Sequence, residues 1–224
     1  MPQILRSSLS RAMSSAHIRI GLSTPKNKVN SLGLATRECL MTQIDAALAN
    51  NATSLVITGE RGTFSAGADI TEFAAGGSGT SPSLHDLISK IESLPIPTVA
   101  AISGVALGGG LELALSCKYR VATVHARVGL PEVHLGIVPG AGGTQRLPRL
   151  TSVPFALDAI TTGRMIMSKE ALENQLVDAV ATTDLAEFAG TCLHQNCGSN
   201  HLSEPDLLTH SRLIYSHYAR FARR

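Results

Sequence analysis

The sequence predicts an α/β protein with largely buried strands, and three observations carry that prediction. Short apolar runs ending at glycine, SLVITG (residues 54–59) and TVAAISG (98–104), have the near-continuous hydrophobicity of strands covered on both faces. Segments at helical spacing lie between them, and glycine-rich turns mark several of the junctions. Strands that alternate with helices belong to the α/β class.

Taken in order, HIRIGLS from His17 alternates enough for a first strand, and Pro25 and Asn27 turn the chain. Leu34, Leu40, Ile44, Ala47 and Leu48 then set out a long helix. After SLVITG comes a loop containing FSAGADI (64–70), and AAGGSGTSPS (74–83) reads as a mobile Gly/Ser loop. An amphipathic helix follows from Leu84 to about Leu94, stopped by Pro95 and Pro97. TVAAISG is expected to exit through GVALGGGLELAL (104–115) into a helix, with no further strand between them. YRVATV (119–124) and ARVGL (126–130) suit two short strands, and VPGAGGTQRL (138–147) introduces another helix. Helices are expected at 153–162 and 168–176, the latter with Ser168 as N-cap, and VDAVA (177–181) makes a last strand. Beyond residue 184 the periodicity decays, and YARFARR at the end is a basic tail suited to solvent.

With 224 residues and 44% hydrophobic content, the chain can bury one substantial core. A net charge of +2 and 16% charged residues give no polyanion-binding surface, so nucleic acid is not an expected partner. No apolar run reaches the roughly 18 residues of a membrane span. Four scattered cysteines make no disulfide framework. Cys192, His194, Cys197 and His201 cluster, but at spacings unlike those of structural zinc sites, so no metal is expected. Residues 1–16 carry Arg6 and Arg11 among several serines and no acid, which fits either a transit peptide or an exposed leader.

The chemistry concentrates in three stretches. GVALGGGLELAL (104–115) and GAGGTQ (140–145) are glycine-rich, yet neither has G-x-G-x-x-G spacing or a Walker lysine. Glycines at a helix N-terminus can instead aim backbone N–H groups at an anion, and a transient anion there defines an oxyanion hole. SAGAD (65–69) can supply a second donor. Glu112 and Glu132 are carboxylates in apolar settings, where burial raises the pKa toward the range useful for proton transfer. Each feature also has a purely structural use: close helix packing for the glycines, a dipole-favoured first-turn acid for Glu112, a cap at Pro131 for Glu132.

FSAGADI, GVALGGGLELAL and GLPEVHLGIVPGAGGTQRLPR, with their spacing, resemble the enoyl-CoA hydratase/isomerase (crotonase) superfamily over residues 17–183. The resemblance implies a crotonase-like spiral of ββα units over residues 17–184, followed by an atypical short C-terminal region, 185–224. It implies an oxyanion hole from the N–H groups of Ala66 and Gly109 around the oxygen of an acyl-CoA thioester. Gly67, Ala68 and Asp69 would line the CoA side with Ala66, and Gly140 would stand beside the water site. Glu112 and Glu132 would position water and shuttle protons, hydrating a trans-2-enoyl-CoA in β-oxidation, and Glu132 could also isomerise 3-enoyl to 2-enoyl thioesters. The family needs no cofactor, since coenzyme A is part of the substrate. Its C-terminal helices close the acyl pocket and build trimers, and residues 185–224 look unlike them. That leaves a homotrimer open, and with it a catalytically impaired acyl-CoA-binding or partner-binding homologue. The resemblance extends to peroxisomal members, whereas the leader resembles a mitochondrial one, so both organelles stand as expectations.

Overall fold

The structure, a computed structural model, describes residues 17–22, 30–69, 72, 81–182, 185 and 189. The leader, the Gly/Ser loop short of Ser81, the Cys192–His201 cluster and the basic tail lie outside the described residues.

Five parallel strands form the main sheet in the order β1-β2-β3-β5-β8: β1 His17–Leu22, β2 Ser54–Gly59, β3 Thr98–Ile102, β5 Tyr119–Thr123 and β8 Ala179–Ala181. Register explains why β2 and β3 read as continuous apolar runs. Leu55, Ile57, Ala100, Ile102 and Ala122 face one side, where Leu40, Ile44, Leu87, Ile88, Ile91 and Leu113 complete the principal core. Val56, Val99, Ala101, Val121 and Ala181 face the other side, covered by Ala189 and Leu185. Both faces are therefore dry, and each fully buried Leu or Ile contributes about 1.5–3 kcal/mol.

A second layer runs beside the first. β4 (Val105–Leu107) pairs parallel with β6 (Arg127–Gly129), which pairs antiparallel with β7 (Ile166–Met167). Isolated bridges extend this layer through Ser65↔Ala106 and Ser31↔Gly67. Each turn of the chain thus visits the main sheet, then the second layer, then a helix: β1, Ser31 and α1 (Leu34–Ala49); β2, Ser65–Gly67 and α2 (Leu84–Glu92); β3, β4 and α3 (Gly109–Ser116). This is the expected ββα spiral.

Two local expectations are corrected. TVAAISG does not exit directly into a helix, because Gly104 turns the chain (φ +58°) and residues 105–107 first add β4 to the second layer. Nor does Ser168 cap a helix: the N-cap of α6 (Ser168–Glu173) is Met167, and the Ser168 hydroxyl instead donates to the Val124 carbonyl. The remaining helices are α4 (Gly143–Leu150) and α5 (Val153–Thr162), with a 3-10 turn over Pro131–Leu135. No described helix is long and apolar enough to cross a membrane.

Candidate active site

The ββα turns bring their second-layer ends together. Ala66, Gly67, Ala68 and Asp69 leave the Ser65 bridge, Gly109 opens α3, and Glu132 follows β6 on the 3-10 turn. All eight residues singled out in the sequence, these with Glu112 and Gly140, line one cavity of about 430 Å³. Leu84, Leu135, Ile137 and Val138 add apolar wall, and Arg37, Glu72 and His85 add charge or polarity. A cavity of this size, apolar with a few convergent polar groups, has the form of a small-molecule site.

Backbone donors come from two turns. Gly67 has φ +103°, and a β-carbon there would stand 2.7 Å from the Leu107 carbonyl oxygen, so only glycine fits. Its carbonyl accepts from the Leu32 N–H at 2.8 Å, and the chain then reverses so that Ala68 approaches Gly109. A β-carbon on Gly109 would lie 3.4 Å from the Ala68 nitrogen. Among the described residues, neither the Ala68 N–H nor the Gly109 N–H has a hydrogen-bond partner.

The expected donor Ala66 is different. Its N–H donates to the Asn30 carbonyl at 2.9 Å as part of the second layer, so it is not free for a ligand. Ala66 stays on the cavity wall, and the open N–H beside Gly109 belongs to Ala68.

The two carboxylates occupy unequal environments. Glu112, 2% exposed, sits in α3, whose eight residues are all buried. Its Oε1 accepts two N–H bonds, from Ala141 and Gly143, each 2.8 Å. Burial pushes its pKa up, while those two N–H groups and the Arg146 guanidinium act in the opposite direction. Glu132, 9% exposed, has an Oε2 with no partner among the described residues. Burial, with the nearby Glu112 carboxylate, pushes it up to about 7.

The glycine-rich turn GAGGTQ, unsuited to phosphate by its spacing, does hold an anion at a helix N-terminus. The anion is Glu112, gripped where α4 begins at Gly143. Sequence reasoning missed Ala141 and Gly143 as the groups that orient Glu112. The available signal was a turn rich in orphan donors and an apolar-flanked acid elsewhere in the chain.

Comparisons with known proteins identify the family and the fold. A family model described as enoyl-CoA hydratase/isomerase matches residues 13–197. The peroxisomal bifunctional enzyme of Danio rerio is 52% identical over 162 residues, which are 72% of this chain and 22% of that protein. The probable enoyl-CoA hydratase of Bacillus subtilis (strain 168) is 49% identical over 139 residues, 60% of this chain and 54% of that protein. The crystal structure of an enoyl-CoA hydratase from Bacillus anthracis superposes with a TM-score of 0.73 at 36% identity, covering 85% of this chain and 76% of that one. The chain spans about a fifth of the length of the bifunctional relatives it matches. With a crotonase fold and a family match over most of its length, the chain belongs to the enoyl-CoA hydratase/isomerase family.

Proposed function

We propose that the chain hydrates trans-2-enoyl-CoA to 3-hydroxyacyl-CoA in fatty acid β-oxidation. The observation that carries this reading is the pair of carboxylates in one cavity, held in unequal environments beside two unpartnered backbone N–H groups. The Ala68 and Gly109 N–H groups would polarise the thioester carbonyl and hold the negative charge that moves onto its oxygen as the enolate forms. Losing one such donor typically costs on the order of 10²–10³ in rate. Glu112, whose carboxylate form is favoured by two N–H bonds, takes a proton from water as its oxygen bonds to C3. Glu132, with a pKa of about 7 and an oxygen lacking a partner, is protonated often enough near neutrality to deliver a proton to C2. The proton taken up by Glu112 passes to Glu132 through solvent before the next turnover, so the net change is addition of water across the double bond with no redox change.

The same Glu132 could move a proton between C2 and C4, which would add the isomerase reaction. Relatives named peroxisomal bifunctional enzyme and fatty acid oxidation complex subunit alpha support a β-oxidation setting. The proposed site of action is a peroxisome or a mitochondrion, and a fluorescent fusion imaged beside markers of both separates the two.

The test is hydration of crotonyl-CoA by the full chain, followed as loss of the enoyl thioester absorbance. Glu132→Gln is expected to abolish turnover while acyl-CoA binding stays measurable. Wild-type turnover in that variant would overturn the assignment. Binding without turnover by the wild-type chain would replace it with an acyl-CoA-binding role.

A further inference from the structure

One cation beside the site has no part in the chemistry above. Arg146, on α4, uses all three guanidinium nitrogens. Its Nε and Nη2 meet Glu92 Oε1 and Oε2 on α2 at 2.6 and 2.7 Å, and its Nη1 donates to the Ala141 carbonyl at 2.8 Å. The same Ala141 gives its N–H to Glu112 Oε1. A single residue therefore joins the catalytic-site carboxylate to a guanidinium that a second helix holds in a two-pronged grip. Gly142 adapts to this arrangement, for its φ is +100° and a β-carbon there would collide with Arg146 Nη1 at 1.9 Å.

We propose that Arg146, braced by Glu92, is a positioning residue for Glu112: it fixes the Ala141 carbonyl and so the turn whose N–H groups orient the Glu112 carboxylate. The proposal rests on the hydratase reading for its effect on rate, and on geometry alone for its effect on Glu112. Without the guanidinium, the Ala141 carbonyl loses its donor and the turn gains freedom. The two N–H bonds to Glu112 then lengthen or break. Displacement of a reacting group by about 1 Å can cost on the order of a hundredfold in rate.

The effect on titration has a definite sign. The charged or titratable groups facing Glu112 are Glu132 from the 3-10 turn, Arg146 from α4 and His85 from α2. α3 itself carries no other charge, and β3 and β4 carry none. The remaining charges on α2 and α4 are turned to other partners: Asp86 to Ser83, Lys90 to Asp45, Glu92 to Arg146 and Arg149 to Gln145. Removing Arg146 takes away the cation and loosens two donors, and both changes favour the protonated acid. Glu112 then titrates at higher pH, and the acid limb of the activity profile moves up with it.

The experiment measures the Glu112 carboxyl titration by 13C NMR on the full chain, assigned with Glu112→Gln, alongside kcat and KM for crotonyl-CoA across pH. For Arg146→Leu, the Glu112 midpoint and the acid limb both rise, and kcat falls by roughly ten- to a hundredfold with a smaller change in KM. Glu92→Gln, a change at a half-exposed position, moves all three in the same direction by less. Arg146→Lys keeps the charge but loses the fork, so it restores the midpoint more fully than kcat. Unchanged Glu112 midpoints in both Arg146→Leu and Glu92→Gln would overturn the proposal, as would a loss of thermal stability and activity with the midpoint and acid limb in place. A wild-type chain without turnover would count against the hydratase reading, and the NMR midpoints would still decide the role of Arg146.

Discussion

Glu132 shows at the scale of one residue how a buried acid costs stability. Its ordinary carboxyl value of 4.5 in the unfolded chain becomes about 7 in the fold, because burial and the Glu112 carboxylate oppose ionisation. Between those two values the native state binds more protons than the unfolded chain, so stability falls as pH rises. Below 4.5 both states are protonated and the difference vanishes. Above 7 the full penalty is present, on the order of a few kcal/mol. Glu132→Gln removes that ionisation at similar size. We expect the variant to resist urea better than wild type at about pH 8 by about 1–3 kcal/mol, and to lose this margin at about pH 4. Equal unfolding curves under the alkaline condition would show that the carboxylate finds solvent. The identity of this residue as a strained acid was legible in GLPEVHLG, since an acid set among apolar neighbours must either find a partner or resist ionisation. The open backbone donor beside Gly109 was less so. Choosing Ala68 over Ala66 depends on the +103° φ at Gly67 and on a hydrogen bond from Ala66 to Asn30, and neither is written in local composition.

Among the elements, the long apolar strands matched expectation, as did the short β6 and β8 within ARVGL and VDAVA, whereas β4 and β7 were not anticipated. β2 and β3 are buried on both faces, so their sequences carry an unbroken hydrophobic signal. β4 and β7 have three and two residues and pair mainly through backbone, too short for any periodicity to show. The start of α2 near Leu84 and its stop before Pro95 were legible, but its cap was not, because Ser83 reads as the end of a Gly/Ser loop. At the helix start, Ser83 accepts from the Asp86 N–H, while Asp86 Oδ2 accepts from the Ser83 N–H at 2.7 Å, a reciprocal cap. Those bonds hold the Asp86 carboxyl below its usual value. The cap also fixes the turn that presents Leu84 and His85 to the cavity. Ser83→Ala should cost about 1 kcal/mol in urea unfolding, and in the proposed hydration assay the lost order at the cavity wall should raise KM for crotonyl-CoA more than it lowers kcat. A variant with wild-type stability would mean that packing of Leu87, Ile88 and Ile91, not the cap, sets where the helix begins.

At the scale of the whole molecule, the last strand of the main sheet is held by an ion pair between buried Arg120 and half-buried Asp178. β8 pairs with β5 over only three residues, Val121↔Ala179 to Thr123↔Ala181. Arg120 next to that register is nearly inaccessible, and its guanidinium reaches Asp178 Oδ2 at 3.0 Å, the Leu176 carbonyl at 3.0 Å and the Cys117 carbonyl at 2.8 Å. Asp178 Oδ2 also accepts from the Arg120 N–H at 2.7 Å, so one carboxylate oxygen joins the backbone and side chain of β5 to the approach of β8. Burial nonetheless pushes the Asp178 carboxyl up, with Arg120 only partly offsetting it. The pair is therefore a poor source of net stability, as buried pairs often are against apolar replacements. Breaking one side of it is a different matter, because Arg120 would keep its burial and lose its counter-charge. Asp178→Ala should destabilise the protein by about 3–5 kcal/mol in urea unfolding. Asp178→Asn, which can still accept from the Arg120 N–H, should cost less. Loss of less than about 0.5 kcal/mol in Asp178→Ala would show that water reaches Arg120 and that β8 is fastened by strand pairing alone. This tie was not foreseeable from VDAVA, which reads as a short strand with one aspartate and no visible counter-charge. Its meaning depends on an arginine in a distant strand that only the parallel crossover brings alongside.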